Sequence, residues 1–274
     1  MNSPEASPLG KASRYKDTYD PTLLFPIARQ DKRLEIGIDG SLPFKGQDIW
    51  NGYELSWLNM KGKPVVAIAV FGIPAESPCL IESKSFKLYL NSFNQSRFEK
   101  VEDVVEKLTA DLTSAAQARV DVSIFNVDQA MPHDVISCFK AECIDDLDVE
   151  IDKYQADKSL LSCSDELVCE ALCSHLLKSN CLVTGQPDWG SVFISYTGPK
   201  IDRESLLKYL ISFRQHNEFH EQCVERIFVD LKEQCRCETL TVYARYVRRG
   251  GLDINPFRSD VPGATVKNIR LVRQ

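Results

Sequence analysis

Apolar positions in this chain change period several times, and each change marks an element. Residues 53–59 (YELSWLN) and 63–71 (KPVVAIAVF) carry the short-period pattern of two strands, with Gly62 in the turn between them. Residues 82–93 switch to helical spacing. A second helix is predicted over 101–112, with Val101, Val104, Val105, Leu108 and Leu112 on one stripe. Residues 120–127 (VDVSIFNV) alternate as a strand, and 143–151 are a candidate for another.

The same order returns in the second half. A connecting helix is expected over 165–178, ending in Ser179 and Asn180, then strands at 182–183 and 190–196. Residues 202–213 form a helix with Asp202 as an acidic N-cap, and 223–231 a second with Val224, Ile227, Phe228 and Leu231 inward. Strands at 239–247 and 270–273 close the list. The letters repeat too: YLNSFNQ from Tyr89 and YLISFRQ from Tyr209 share Y-L-x-S-F-x-Q at an offset of 120 residues. That period is too long for a solenoid. The expectation is an α+β fold made by tandem duplication, each module with antiparallel strands and two helices packed on one face. The boundaries expected are an N-terminal extension at 1–45, a first module at 46–152, a connecting segment at 153–179 and a second module at 180–274.

Composition narrows the class. The 274 residues, 43% hydrophobic and 26% charged, suit a soluble globular protein with a real core. A net charge of -6 argues against a general nucleic-acid binder. Charge is uneven, with six acids and no base from Glu142 to Asp152, and seven bases from Arg245 onward. The acidic run fits a solvated face, and the basic one could also hold a phosphorylated small molecule. The N-terminus shows no apolar signal region, and the longest apolar stretch (64–75) is too short for a bilayer. Ten cysteines in a long chain without an export signal read as cytosolic thiols, and the absence of any CxxC pair argues against structural zinc.

Candidate chemistry gathers in 180–190, NCLVTGQPDWG, with Cys181 and Asp188 seven residues apart. Gly185, Gln186 and Pro187 between them favour a reversal. A thiolate attacks electrophilic carbon, and a nearby carboxyl can take its proton or pass one to the product. A buried structural cysteine beside a turn aspartate is the alternative. Following a predicted helix C-terminus, where the dipole disfavours a thiolate, Cys181 would need Asp188 as its base. The first copy carries IESKSFK, with Ile81, Glu82, Ser83, Lys84 and Lys87: a carboxylate for a ligand's N–H groups and lysines for phosphates, or an ordinary solvated helix start. The second carries HNEFHEQC. There, His216 and His220 have metal-pair spacing without a third ligand. His220 as a proton carrier, Glu221 gripping a nitrogen-rich ring and Phe219 covering it make the better use. Cys79 is taken as structural.

These motifs, together with SRYKDTYDPTLLFPI, DIWNGYELSWLN and YARYVRRGGLDINPFRS, resemble the long, two-module form of the NADPH-dependent 7-cyano-7-deazaguanine reductases, nitrile reductases of queuosine biosynthesis. The resemblance covers nearly the whole chain and is weakest between about 131 and 165. It implies a tunnelling fold (T-fold) in each module and one composite site per chain. It implies Cys181 as the nucleophile forming a thioimide, Asp188 and His220 as proton carriers, and two NADPH per turnover with no metal. Ile81, Glu82, Ser83, Phe219, His220 and Glu221 would bind the deazaguanine. Ser83, Lys84, Arg249 and Gly250 would contact NADPH. A cytoplasmic homodimer without nucleic acid or membrane partners is the implied state. The absence of a GxGxxG fingerprint leaves the NADPH assignment to the resemblance alone. Two other readings stand beside it: a zinc-dependent cyclohydrolase of the same fold, and a non-catalytic purine-binding protein with Cys181 merely buried.

Overall fold

The computed structural model describes residues 15–128 and 135–274. It divides the chain into two compact units, neither continuous in sequence. Of the described residues, one holds 15–31, 47–128 and 248–254, the other 32–46, 135–247 and 255–274.

In the first unit, β1 (Pro26–Ala28) leads to α1 (Gln30–Glu35), whose later residues already belong to the second unit. β2 (Lys45–Leu58) and β3 (Pro64–Pro74) form a hairpin, with Gly62 at φ +84° in its turn. β4 (Cys79–Ile81) pairs antiparallel with β1 and opens into α2 (Ser83–Asn91), then α3 (Val101–Ala116) and β5 (Asp121–Asn126), which pairs with β3. Val104, Leu108, Leu112 and Ala116 line the buried face of α3 at four-residue spacing, and Trp50, Phe71, Phe86, Tyr89 and Phe93 fill the core with edge-to-face rings.

In the second unit, beyond its early segment 32–46, β6 (Glu142–Cys143) runs parallel to β7 (Cys163–Ser174). β8 (Lys178–Asn180) and β7 both pair with β9 (Pro187–Ile201). Helices α4 (Arg203–Ser212) and α5 (His220–Cys235) follow, then β10 (Thr239–Tyr246) against β9. β11 (Leu252–Ser259) pairs through its second half with β10.

The helix pairs repeat in hydrogen bonds as well as in letters. Glu82 and Asp202 cap α2 and α4. Ser85 Oγ donates to the Glu82 carbonyl at 2.7 Å, and Ser205 Oγ to the Asp202 carbonyl at 2.8 Å. Tyr89 donates to Asp111 and Tyr209 to Asp230, each at 2.6 Å. Before each pair, a short 3₁₀ turn is capped by an aspartate, Asp20 or Asp157, whose backbone N–H reaches Ser92 or Ser212. Residues 17–28, expected as part of the N-terminal extension at 1–45, therefore play in the first unit the part that 154–162 play in the second.

Four elements differ from expectation. The strand expected at 182–183 is a turn in the loop between two strands, 178–180 and 187–201. The helix expected over 165–178 is the strand β7. DELVCEALC has good helix formers, but registry from Leu167 against Pro199 to Ser174 against Val192 outweighs that local preference. The strand expected at 143–151 is reduced to the two residues of β6. At 270–273 there is no strand. Gln274 instead turns its side chain inward, accepting from Arg245 and donating to the Tyr246 carbonyl. The strand that is present, β11, was hidden by Asp253, Asn255 and Pro256, which are depleted in strands; here all its residues are buried.

Candidate active site

β8 and the start of β9 place the thiol and the carboxyl. Ser179 lies opposite Asp188 and Asn180 opposite Pro187, so the chain leaves the ladder at Cys181. The loop 181–186 is closed by Cys181 N–H to the Gln186 carbonyl at 2.8 Å and Gly185 N–H to the Cys181 carbonyl at 3.0 Å. Gly185, at φ +65°, makes the expected reversal. Alternation carried one residue past β8 gives Cys181 the face of Ser179, and hence of Asp188. Both are buried, at 3% and 7% exposure. Cys181 follows a strand rather than a helix, so the helix-dipole penalty expected for its thiolate does not apply.

The Asp188 carboxylate meets His220 Nε2 at 3.3 Å. His220 is the first residue of α5, and its ring lies flat on Tyr246, with centroids 3.9 Å apart and planes within 3°. Its Nδ1 is buried without a hydrogen-bond partner among the described residues. The segment before α5 is zipped to the thiol loop: Asn180 N–H donates to the His216 carbonyl and Glu218 N–H to the Asn180 carbonyl. Phe219 caps α5 and Glu221 sits in its first turn, at 8% and 3% exposure. Cys181, Asp188, Phe219, His220 and Glu221 thus fall on adjoining pieces of one unit.

Sequence reasoning missed three residues here. Ser179 and Tyr246 place buried hydroxyls beside the fully buried Cys223, within hydrogen-bonding reach of its thiol. Burial pushes the Cys223 thiol and the Tyr246 hydroxyl well up. Gly190 pairs with Tyr246, and a Cβ there would stand 3.1 Å from the tyrosine ring. No local pattern marks the pair, because only the register of the two strands brings glycine and tyrosine together. Gly190→Ala is expected to push the Tyr246 ring onto His220 and lower kcat roughly 10- to 100-fold with the fold intact. Steady-state kinetics beside a circular dichroism spectrum would check this.

His216 does not join His220 in a metal pair. It lies 3.0 Å from Glu218, which also accepts from Arg226 through both oxygens. Burial raises the Glu218 pKa, but His216 and Arg226 outweigh it and bring the carboxyl down to about 2, from 4.5. A depressed carboxyl contributes stability above its unfolded pKa and loses it as pH falls through the folded one. Wild-type stability is therefore expected to drop by on the order of 3 kcal/mol between about pH 5 and about pH 2 from this group. Urea midpoints across that range should fall more steeply for wild type than for Glu218→Gln.

In the first unit, Ile81 ends β4 and Glu82 is fully buried as the α2 N-cap, accepting from Lys84 N–H at 2.7 Å and Ser85 N–H at 2.8 Å. Burial raises the Glu82 pKa against those two donors. Ser83 and Lys84 start α2. A cleft of about 260 Å³ lies near the other end of that helix, with Tyr15, Glu54, Lys87, Asn91 and Gly250 among its walls. Gly250, at φ +58°, packs against the Lys87 stem, and Arg249 precedes it in the turn. Cys79 is buried in β4 opposite Ala28, and burial raises its thiol pKa.

Comparison with known proteins decides the family. A family model described as nitrile reductase, 7-cyano-7-deazaguanine-reductase N-term matches residues 15–124, and one described as QueF-like protein matches 187–262. The NADPH-dependent 7-cyano-7-deazaguanine reductase of Chromobacterium violaceum is 62% identical over 274 residues, covering 99% of this chain and 98% of that one. The chain belongs to the 7-cyano-7-deazaguanine reductase family. Similarly named proteins of Azoarcus and Acidovorax ebreus are 60% and 55% identical, covering 94% and 100% of this chain and 92% and 100% of their own lengths. The 7-cyano-7-deazaguanine reductases are oxidoreductases of the nitrile-reductase class. Among the described residues of this reductase-family chain, no helix is long and apolar enough to cross a membrane.

Proposed function

We propose that this chain reduces the nitrile of 7-cyano-7-deazaguanine to the primary amine of 7-aminomethyl-7-deazaguanine, in tRNA queuosine biosynthesis, through a thioimide on Cys181. The observation that carries the reading is the Asp188–His220 contact at 3.3 Å beside a buried thiol held by its own loop.

The Cys181 sulfur bonds to the nitrile carbon, one C–N π bond breaks, and Asp188 conveys the thiol proton to nitrogen. NADPH, as co-substrate, supplies a hydride to each of two successive carbon–nitrogen double bonds. After the first, the C–S bond breaks, the electron pair returns to sulfur, which takes back a proton, and an imine remains. After the second, with a further proton on nitrogen, the amine is complete. His220, pressed on Tyr246 and facing Asp188, holds and relays those protons. Phe219 covers the reacting group and Glu221 grips the ring.

Ile81, Glu82 and Ser83 are assigned to the deazaguanine on the family resemblance, and Ser83, Lys84, Arg249 and Gly250 to NADPH. The cleft walled by Gly250 and Lys87 fits the NADPH assignment, since it offers a cation for phosphate and a backbone without a side chain in the way. The repeated caps and serine bonds support a tandem pair of T-fold modules. A cytoplasmic homodimer, no metal in catalysis and no direct nucleic-acid contact complete the reading.

The test is stoichiometry. Purified protein with limiting nitrile should oxidise two NADPH per nitrile and yield the amine by mass spectrometry. One NADPH per nitrile, or a carboxamide product, would overturn the proposal.

A further inference from the structure

Cysteines without a place in the reaction meet at the edge of the sheet in the second unit. Cys143 of β6 lies opposite Cys173 of β7, and His175 follows two residues on. The ligating atoms of Cys143, Cys173 and His175 all lie within 4.8 Å of one another. We propose that these three side chains form a binding site for a soft divalent metal ion, zinc by preference, built from residues other than those around Cys181.

Two thiols and an imidazole are the donor set that zinc takes, at about 2.3 Å from sulfur and 2.0–2.1 Å from nitrogen. Small rotations of the exposed Cys143 close the remaining gap. Cys138, four intervening residues before Cys143, has the short spacing of a ligand pair, and its exposed thiol can supply the fourth position. The imidazole is fixed as metal-binding histidines are. His175 Nδ1 lies 2.9 Å from Ser191 Oγ, which leaves Nε2 to an ion, and Phe139 stacks along the ring at 6.5 Å. The backbone is held as well: His175 N–H donates to Asp145 at 2.8 Å, and Arg273 donates to the His175 carbonyl at 2.7 Å. The other Asp145 oxygen is buried with no partner among the described residues. The Cys173 thiol is pushed up to about 12, first by burial and then by Cys143, Asp145 and Cys138. A cation reverses that repulsion, so uptake releases protons and affinity rises with pH.

A bound ion would clip the acidic stretch around β6 onto β7, which otherwise rests on a two-residue ladder. The test is a cobalt titration of the reduced, metal-stripped full chain, followed by zinc competition. One cobalt per chain with sulfur-to-metal charge-transfer absorption is expected, displaced by zinc. Cys143→Ser should weaken binding by at least about 10- to 100-fold, and Ser191→Ala about tenfold. Cys181→Ala should bind as wild type. Zinc should raise Tm for wild type and not for Cys143→Ser. The proposal is overturned if reduced protein shows no thiolate–cobalt band or if the band survives in Cys143→Ser. It is equally overturned if the band disappears in Cys181→Ala. Air-exposed protein with a Cys143–Cys173 disulfide and no metal uptake after reduction would make the pair a redox couple instead.

Discussion

Wild-type protein mixed with 7-cyano-7-deazaguanine and no NADPH is expected to gain one substrate mass, and Cys181→Ala to gain none. Thiol addition to a nitrile releases nothing and moves no electrons between redox states, so without a hydride donor the reaction stops at the adduct. Adding NADPH should discharge it with turnover. Removal of a nucleophile that no neighbour replaces should lower kcat roughly 10⁴-fold or more. The loop is held by backbone bonds from Cys181 and Gly185 rather than by the thiol, so the variant should keep its fold. Intact-mass spectrometry and a urea melt separate loss of chemistry from loss of structure. An adduct on Cys181→Ala would point to another nucleophile. None on freshly reduced wild type would remove the thioimide and reopen the zinc-dependent reading.

The second large effect concerns stability. Glu225→Ala is expected to cost about 3–5 kcal/mol in urea unfolding. Glu225 lies between two guanidinium groups, accepting from Arg33 at 2.9 and 2.7 Å and from Arg258 at 3.1 and 2.9 Å. All three residues are buried, and Phe44 presents its ring to both arginines. Without the carboxylate, two positive charges stay inside the second unit with their central counter-ion gone. Simultaneous replacement of all three by apolar residues of similar volume should cost far less, because then no charge is stranded. If Glu225→Ala unfolds like wild type, water must reach the arginines.

The triad also explains part of what the sequence could not disclose. Arg33, Glu225 and Arg258 are far apart along the chain, and nothing in the polar stretch 1–45 marks Arg33 as a buried residue. The helix pairs were legible because their stripes and caps are local. The β7 strand was not, since its partner lies across the sheet and its own residues favour helix. At the site, Cys181, Asp188 and His220 could be picked out as residue types and motifs. Tyr246, which orients His220, stood in a strand whose register no local pattern gives. The cluster at Cys143, Cys173 and His175 was invisible for the same reason: a parallel bridge, not a spacing, brings it together.

The winding of the chain through its two units bears on how the protein is made. The first unit takes its last residues from 248–254, and the second draws on 32–46 as well as the C-terminal stretch. A ribosome adding residues in order finishes neither unit until nearly the whole polypeptide has emerged, although domains commonly fold one after another during synthesis. Split expression at the midpoint would leave each fragment without strands or helical turns supplied by the other. The two units therefore have to mature together.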